Sequence, residues 1–137
     1  MSAESLDVVV VSPARALFEG TAHWVTAPAV NGQLGILPRH APIVAALGSG
    51  PLRIGGDAGT VLRFAVRGGF LQVSEDKVTI LVDNAVTEVD AEAAEAQREL
   101  DETVGALRSP KSDEEFAELL DRRAWNEARL KLARPPS

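Results

Sequence analysis

Apolar and polar residues in the first 86 positions alternate over short runs, and Gly, Pro, Asn and Asp separate these runs. Val78, Ile80 and Val82 fall on alternate positions, which places them on one face of a strand. Residues 60–66 are apolar on both faces, so their register stays open. The predicted strands are residues 6–12, 17–27, 32–36, 42–47, 51–54, 60–66, 68–74 and 77–83. Turns are predicted at 31–32, 48–51, 55–59, 68–69 and 75–76. Many short strands at close spacing indicate an antiparallel sandwich or barrel.

The last third of the chain changes to a helical pattern. Asp90 is a plausible N-cap for a helix that runs to Leu107, and Pro110 breaks this helix. Ser112 and Glu115 have the spacing of a capping box that starts a second helix. The apolar stripe of the first helix is Ala93, Ala96, Leu100, Val104 and Leu107, and that of the second is Phe116, Leu119, Leu120, Ala124, Ala128 and Leu132.

Two amphipathic helices with a short connection usually fold back as a hairpin. Ala-rich stripes bury little area, so we expect this hairpin to be marginal alone and able to leave the β domain. The predicted fold class is α+β: an N-terminal antiparallel β-sandwich (residues 1–88) followed by a C-terminal α-helical hairpin (residues 89–137).

Composition and charge exclude several classes of function. The 137 residues suggest one domain with at most an appendage, and 45% apolar residues suffice for a core. A net charge of −6 argues against nucleic acid as a partner. The absence of Cys excludes disulfides and thiolate chemistry. No apolar run is long enough to span a bilayer, and the N-terminus lacks the marks of a signal or transit peptide, so we expect a mature cytosolic protein without direct bilayer insertion.

The sequence contains few residues or motifs that could support catalysis. His23 and His40 are the two candidates for a general base at neutral pH, and His23 reads as an ordinary exposed strand position. No nucleophile, zinc-protease, Walker or dinucleotide motif occurs. An enzyme is disfavoured, no metal site is expected, and a coupling or docking module is the better interpretation.

Residues 31–47, NGQLGILPRHAPIVAAL, combine turn signals, an Arg and a His with an otherwise largely apolar segment. This segment resembles the pattern DGxFGILPxHAPLxxxL of the epsilon subunit family of bacterial F-type ATP synthase and its chloroplast counterpart. Residues 64–85, FAVRGGFLQVSEDKVTILVDNA, resemble the same family's GG block. The resemblance runs from Leu6 to about Ala133.

The resemblance implies a non-catalytic subunit of the central stalk. Such a subunit grips the gamma subunit, touches the ring of membrane c subunits, and couples rotation to the catalytic head. Its helices can extend among the alpha and beta subunits and block ATP hydrolysis. The implied location is the cytoplasmic face of a bacterial cell membrane, as a peripheral protein.

The resemblance also implies contact residues. Gln33, Arg39 and His40 stand where the ring contact falls, although many relatives have Gly at the position of Arg39. The alternative for His40 is an exposed loop residue that stabilises a turn. A candidate apolar surface for gamma comprises Ile43, Val44 and Ala45, with a core strand as an equal alternative.

The second helix offers cations for the catalytic subunits, namely Arg122, Arg123 and Arg129. Their ordinary role would be to complement the helix dipole. Some relatives bind ATP through a pattern with an Asp and a following Arg. Asp90 matches the Asp, but Ala93 replaces the Arg, so we expect no cofactor and weak or absent ATP binding. The alternative function is a stand-alone nucleotide or small-ligand sensor with the same fold.

Overall fold

The computed structural model describes residues 5–87 and 93–133. Its strands are β1 Leu6–Val11, β2 Ala16–Ala22, β3 Trp24–Ala29, β4 Gly32–Ile36, β5 Ile43–Gly55, β6 Val61–Ser74 and β7 Lys77–Thr87, with a short 3₁₀ turn at Asp57–Gly59. The helices are α1 Ala93–Leu107 and α2 Asp113–Ala133. The predicted class, a β-sandwich followed by two helices, is confirmed.

The seven strands form one hydrogen-bonded series in the order β2-β1-β7-β6-β5-β3-β4. One core cluster draws on strands from both ends of this series, so the sheet folds over itself and encloses the core between two layers. Five of the six strand pairs are antiparallel, and β1 with β7 is parallel. The sequence pattern did not predict this parallel pair, because pairing partners leave no mark on local alternation.

Two pairs of predicted strands are each one continuous strand. β5 continues through residues 48–51, where a turn was predicted, and β6 continues through Gly68 and Gly69. Pro51 is tolerated because it pairs with β6 in a stretch where the ladder to β3 is irregular. Gly69 has φ of 130°, and a Cβ there would collide with the Leu81 carbonyl, so β6 needs glycine at this point.

One predicted strand is divided. The chain passes from β2 to β3 at His23, which therefore lies between strands rather than on one. The backbone N–H of His23 donates to the Gly55 carbonyl, and its Nε2 lies 2.6 Å from Asp57 Oδ1. β2 pairs with β1, whereas β3 pairs with β4 and β5, so His23 marks the crossing between two parts of the sheet.

The predicted alternation of β7 is confirmed, since Val78, Ile80 and Val82 are all buried. In β6, Phe64 and Val66 enter the main core, while Ala65 is buried on the other face under α2. Both faces of this segment are covered, which is why its pattern could not fix the register.

The helix stripes were partly wrong. Val104 and Phe116 are 43% and 45% exposed, whereas Thr103, Trp125 and Asn126 are buried. Thr103 satisfies its hydroxyl by donating to the Glu99 carbonyl at 2.7 Å, which allows a polar residue on the inner face of α1. The predicted cap of α2 is confirmed, because the Glu115 N–H donates to Ser112 Oγ at 3.0 Å.

Candidate functional site

The loop between β4 and β5 is a tight, braced turn. Pro38 and Arg39 occupy its centre, and the His40 N–H donates to the Leu37 carbonyl at 3.1 Å. Arg39 has φ of +67°, the left-handed conformation that a type II turn requires at its third position. Pro38 in the second position has its own φ fixed by its ring at the value this turn needs, so the sequence specifies the turn locally. The left-handed φ also explains why Gly suits the position of Arg39.

Asp76 fastens this loop to the sandwich. Its Oδ1 accepts the Arg39 N–H at 2.6 Å, and its carbonyl accepts the Asp7 N–H at 2.8 Å. Asp76 itself lies in the two-residue turn between β6 and β7, where it and Glu75 both have positive φ. The Asp76 carboxylate thus ties the loop to the β6–β7 hairpin, and its backbone carbonyl ties the same hairpin to β1.

The two predicted polar contacts of this loop differ in exposure. Arg39 is exposed, while His40 is half-buried and its Nδ1 donates to the Ala41 carbonyl at 2.7 Å. Gln33, the third predicted contact, is exposed near the start of β4. Leu37, where the turn begins, is four positions beyond Gln33, which is roughly 13 Å in extended chain.

The three residues predicted to face gamma do not share one surface. Ile43 packs against the core, Val44 is 70% exposed, and Ala45 is half-buried. They alternate across β5, as a strand requires, so the continuous apolar run is not a continuous apolar surface.

An exposed apolar surface does cross the outer face of the sheet at the level of Ala46. Ala46 pairs with Phe70, Phe70 with Leu81, and Leu81 with Val11, on four neighbouring strands. Phe70 and Leu81 are 58% and 50% exposed. We call these four residues the outer apolar row. Sequence reasoning missed it because each member looks like an ordinary strand residue until the register aligns them.

The helices attach to the sheet through a small apolar cluster and a polar contact. Trp125, Ala128 and Leu132 of α2 pack on Ala65, with Val86 beside them. About one turn before Trp125 on α2, Asp121 accepts hydrogen bonds from Ser49 Oγ at 2.7 Å and from Arg67 Nε at 3.2 Å.

The three predicted cations of α2 all pair with Glu residues of the hairpin. Arg122 pairs with Glu118 at 3.0 Å and Arg123 with Glu127 at 3.7 Å, both within α2. Arg129 is different, since it reaches Glu99 of α1 at 2.7 Å and also donates to Asn126 Oδ1. Its guanidinium carbon lies 5.4 Å from the Trp125 ring centre, within cation–π range.

Other candidate chemistry is sparse. Asp90, the position considered for nucleotide binding, lies outside the described residues. Within 5–87 and 93–133, no group of three or more His, Cys, Asp or Glu side chains could hold a metal ion. None of the described helices is long and apolar enough to cross a membrane.

Comparison with known proteins shows which family has this sequence and fold. A family model described as "ATP synthase, Delta/Epsilon chain, beta-sandwich domain" matches residues 5–88. The ATP synthase epsilon chain of Synechococcus elongatus is 36% identical over 128 residues, 93% of each chain. That of Brevibacillus brevis is 41% identical over 96 residues, 69% of this chain and 73% of the relative.

Solved structures share the fold. A chain of the Euglena gracilis mitochondrial ATP synthase, solved as an OSCP/F1/c-ring structure, superposes with a TM-score of 0.78 and 19% identity. The match covers 92% of this chain and 79% of that one. A chain of the Tetrahymena thermophila central stalk and c-ring gives 0.66, 16% identity and coverages of 92% and 94%. With a family model over the sandwich and relatives over nearly the whole length, this chain belongs to the epsilon chain family of ATP synthase.

Proposed function

We propose that this chain is a non-catalytic central-stalk subunit of a proton-translocating F-type ATP synthase. Its sandwich carries rotation by binding the gamma subunit and the c ring. Its helices inhibit ATP hydrolysis when they reach the alpha and beta subunits. The complex holds it as a peripheral protein on the cytoplasmic face of a bacterial membrane.

The observation that carries the proposal is the separation of two cores. The main cluster lies wholly within the strands, whereas α2 contributes Trp125, Ala128 and Leu132 to a second, small cluster over Ala65. Burial of one large side chain is worth about 1.5–3 kcal/mol, so a few kcal/mol hold α2 to the sheet. An attachment of this strength can be exchanged for contacts elsewhere without opening the sandwich.

The outer apolar row supports a docking role for the sandwich. Phe70 and Leu81 are large, exposed and directly paired, and Val44 lies on the same face one step along β5. Contiguous exposed apolar side chains mark interaction surfaces. We assign this face, with Val44, to gamma, and Ile43 and Ala45 are not part of it.

The braced loop supports a contact with the c ring. Pro38, the hydrogen-bonded turn and Asp76 fix the backbone of Arg39, so its side chain can be presented at little entropic cost. Arg39 supplies a charge for ring carboxylates, with His40 and Gln33 as polar neighbours. Rigid presentation suits a contact that must transmit torque.

The ion pairs of α2 suggest which cation serves the inhibitory contact. The partners of Arg122 and Arg123 lie on α2 itself and move with it. Arg129 is held by Glu99 of α1, so separating the helices releases this guanidinium. We therefore assign Arg129 the larger part of the contact with the catalytic subunits. ATP and other cofactors have no part in the proposal.

The test is to lock α2 on the sheet within the whole ATP synthase. The chain has no Cys, so Ser49→Cys with Asp121→Cys gives one thiol pair for a short cleavable cross-linker. Locking should raise ATP hydrolysis, leave proton-driven synthesis intact, and be reversed when the linker is cleaved. The two single-Cys variants, treated alike, are the controls. Unchanged hydrolysis in the locked complex would refute the inhibitory role.

The stalk role is tested separately by isolating the complex through tagged gamma. Full-length chain and a version ending at residue 88 should both be retained with it. A stand-alone sensor would not be retained, and that result would overturn the proposal as a whole.

A further inference from the structure

A cavity of about 520 Å³ lies where the C-terminal part of α2 meets the sheet. Trp24, Arg53 and Arg63 contribute its sheet side, and Lys131 and Leu132 contribute its helix side. This volume falls within the range of small-molecule sites in proteins. None of these residues belongs to the braced loop or the outer apolar row.

Positively charged side chains line the cavity, and none of the described carboxylates pairs with them. Arg53 of β5 and Arg63 of β6 are directly opposite in the register, an arrangement that destabilises a strand pair when both carry the same charge. Lys131 adds a third cation to the lining. Among the described residues, no carboxylate forms an ion pair with any of these three. In a chain of net charge −6, such a cluster is suited to an anion that relieves the repulsion.

The remaining walls are apolar and partly aromatic. Trp24 pairs with Gly55, and a Cβ at Gly55 would collide with the indole, so the missing side chain lets the ring lie against the strand. Val61, two residues before Arg63 on β6, and Leu132 add further apolar surface. A bound anion would therefore contact an apolar body as well as cations.

We propose that this cavity binds a small organic anion, a phosphate monoester attached to a flat apolar ring system. The ring lies against Trp24 and Leu132, and the phosphate faces Arg53, Arg63 and Lys131. Guanidinium groups bind phosphate through paired hydrogen bonds, and Lys131 adds a point charge. The proposal is independent of the stalk role, because it rests on the cavity alone.

The test follows the two indole N–H signals of the full-length chain by NMR during titration with 1-naphthyl phosphate. Trp24 lines the cavity, whereas Trp125 lies outside its lining and serves as an internal reference. The Trp24 signal should shift saturably, with a dissociation constant of about a millimolar or below for a ligand of this size. A Trp24 signal that does not move, or moves only together with Trp125, overturns the proposal.

Two further probes separate the parts of the ligand. 1-Naphthol has the ring without the charge, and inorganic phosphate has the charge without the ring, so each should bind at least ~10-fold more weakly. If 1-naphthol binds as tightly as the phosphate ester, the site does not select an anion. If inorganic phosphate binds as tightly, the apolar walls take no part. Either result contradicts the proposal.

Substitutions of the cations that line the cavity test whether their charges bind the phosphate. Arg53→Gln with Arg63→Gln should weaken 1-naphthyl phosphate binding ~10-fold or more, and Arg122→Gln, which removes a cation outside the cavity, should leave it unchanged. Lys131→Gln on the exposed side of α2 provides a second variant if the sheet substitutions disturb folding. Equal losses in Arg122→Gln and Lys131→Gln would show a general charge effect and refute the site.

Discussion

The carboxylate of Asp121 on α2 accepts a hydrogen bond from the Ser49 hydroxyl on β5 at 2.7 Å, across the junction between helices and sheet. Arg67 Nε contacts the other carboxylate oxygen at 3.2 Å. These contacts lie at the opposite end of the apolar cluster from Leu132, so they determine how α2 lies along the sheet. The attachment therefore combines a non-directional apolar part with a directional polar part.

Asp121→Ala should loosen α2 while the sandwich stays folded. It removes two partly exposed, charge-assisted hydrogen bonds, one of them within an ion pair with Arg67, so the cost is about 1 kcal/mol. Trp125 is 6% exposed and becomes accessible when α2 leaves the sheet. Acrylamide quenching of Trp125, measured with Trp24→Phe in every variant, should increase. If Trp125 is quenched equally in Asp121→Ala and in the parent that keeps Asp121, the polar contacts do not hold α2.

Glu118→Ala is the matched control for this measurement. Glu118 pairs with Arg122 on the same helix, so its loss removes a carboxylate from α2 without touching the sheet. Trp125 quenching should be as in the parent. Equal increases in both variants would assign the effect to helix stability rather than to attachment.

Phe70→Ser should abolish or strongly weaken binding to gamma and leave the sandwich stable. Phe70 is 58% exposed, so its loss removes little buried surface from the isolated chain. At an interface, truncation of a central aromatic typically costs 2 kcal/mol or more, about 30-fold in affinity. Gln72→Ser changes an exposed polar residue on the same face of β6 and should retain binding. Leu71→Ala faces the core and should lose about 2–5 kcal/mol of stability.

Calorimetric titration with gamma, together with thermal unfolding of the free chain, distinguishes these outcomes. Wild-type affinity in Phe70→Ser would remove the outer apolar row from the proposed interface. A large loss of stability in that variant would instead place Phe70 in the core, against its observed exposure.

Arg39→Gly should keep the turn and stabilise it slightly. A left-handed conformation costs a non-glycine residue about 1–2 kcal/mol, while glycine adds up to about 1 kcal/mol of unfolded-state entropy, so the net gain is below about 1 kcal/mol. Arg39→Ala removes the same charge but keeps the strain, and should gain nothing. Chemical unfolding compares the two. A less stable Arg39→Gly would show that the Arg side chain, rather than the backbone, maintains the loop.

The same pair of variants tests the ring contact. Both lack the charge, so both should weaken assembly with the c ring if Arg39 pairs with ring carboxylates. Higher ionic strength should weaken assembly of the parent and have less effect on the two variants, because salt screens the Arg39 charge. Assembly that survives in both variants would leave the loop backbone, His40 and Gln33 for this contact.

Much of the fold could be predicted from the sequence because it depends on local patterns. β4 has the predicted bounds, the alternation of β7 places Val78, Ile80 and Val82 inside, and Ser112 caps α2 as expected. The Pro38 turn also follows from local chemistry. Each of these features is decided by residues close together in the chain.

The features that could not be predicted depend on pairing between distant segments. The turn expected at residues 48–51 is strand, because β5 is held by β6 along its length. Phe70 and Leu81 form one surface only through the register, and Arg53 meets Arg63 for the same reason. In α2, the Ala and Leu stripe concealed Trp125 and Asn126, since the helix contacts both α1 and the sheet and so buries a wider face.

The pair between Arg129 and Glu99 should be the main polar tie between the two helices. Arg129 is only 13% exposed at its side chain, and it also contacts Asn126 and the Trp125 ring. Glu99→Gln should destabilise the hairpin by about 1–2 kcal/mol, because the guanidinium loses its charged partner while partly buried. Arg129→Met should cost a similar amount, and the double variant should cost less than the sum, with a coupling of about 1 kcal/mol. The same cycle on Arg123 and Glu127, an exposed pair within α2, should give a coupling near zero. Hydrogen exchange of α1 amides measures both cycles. Additive effects at Arg129 and Glu99 would mean that the hairpin is held by its apolar seam, and Arg129 would then lose its place as the cation released when the helices separate.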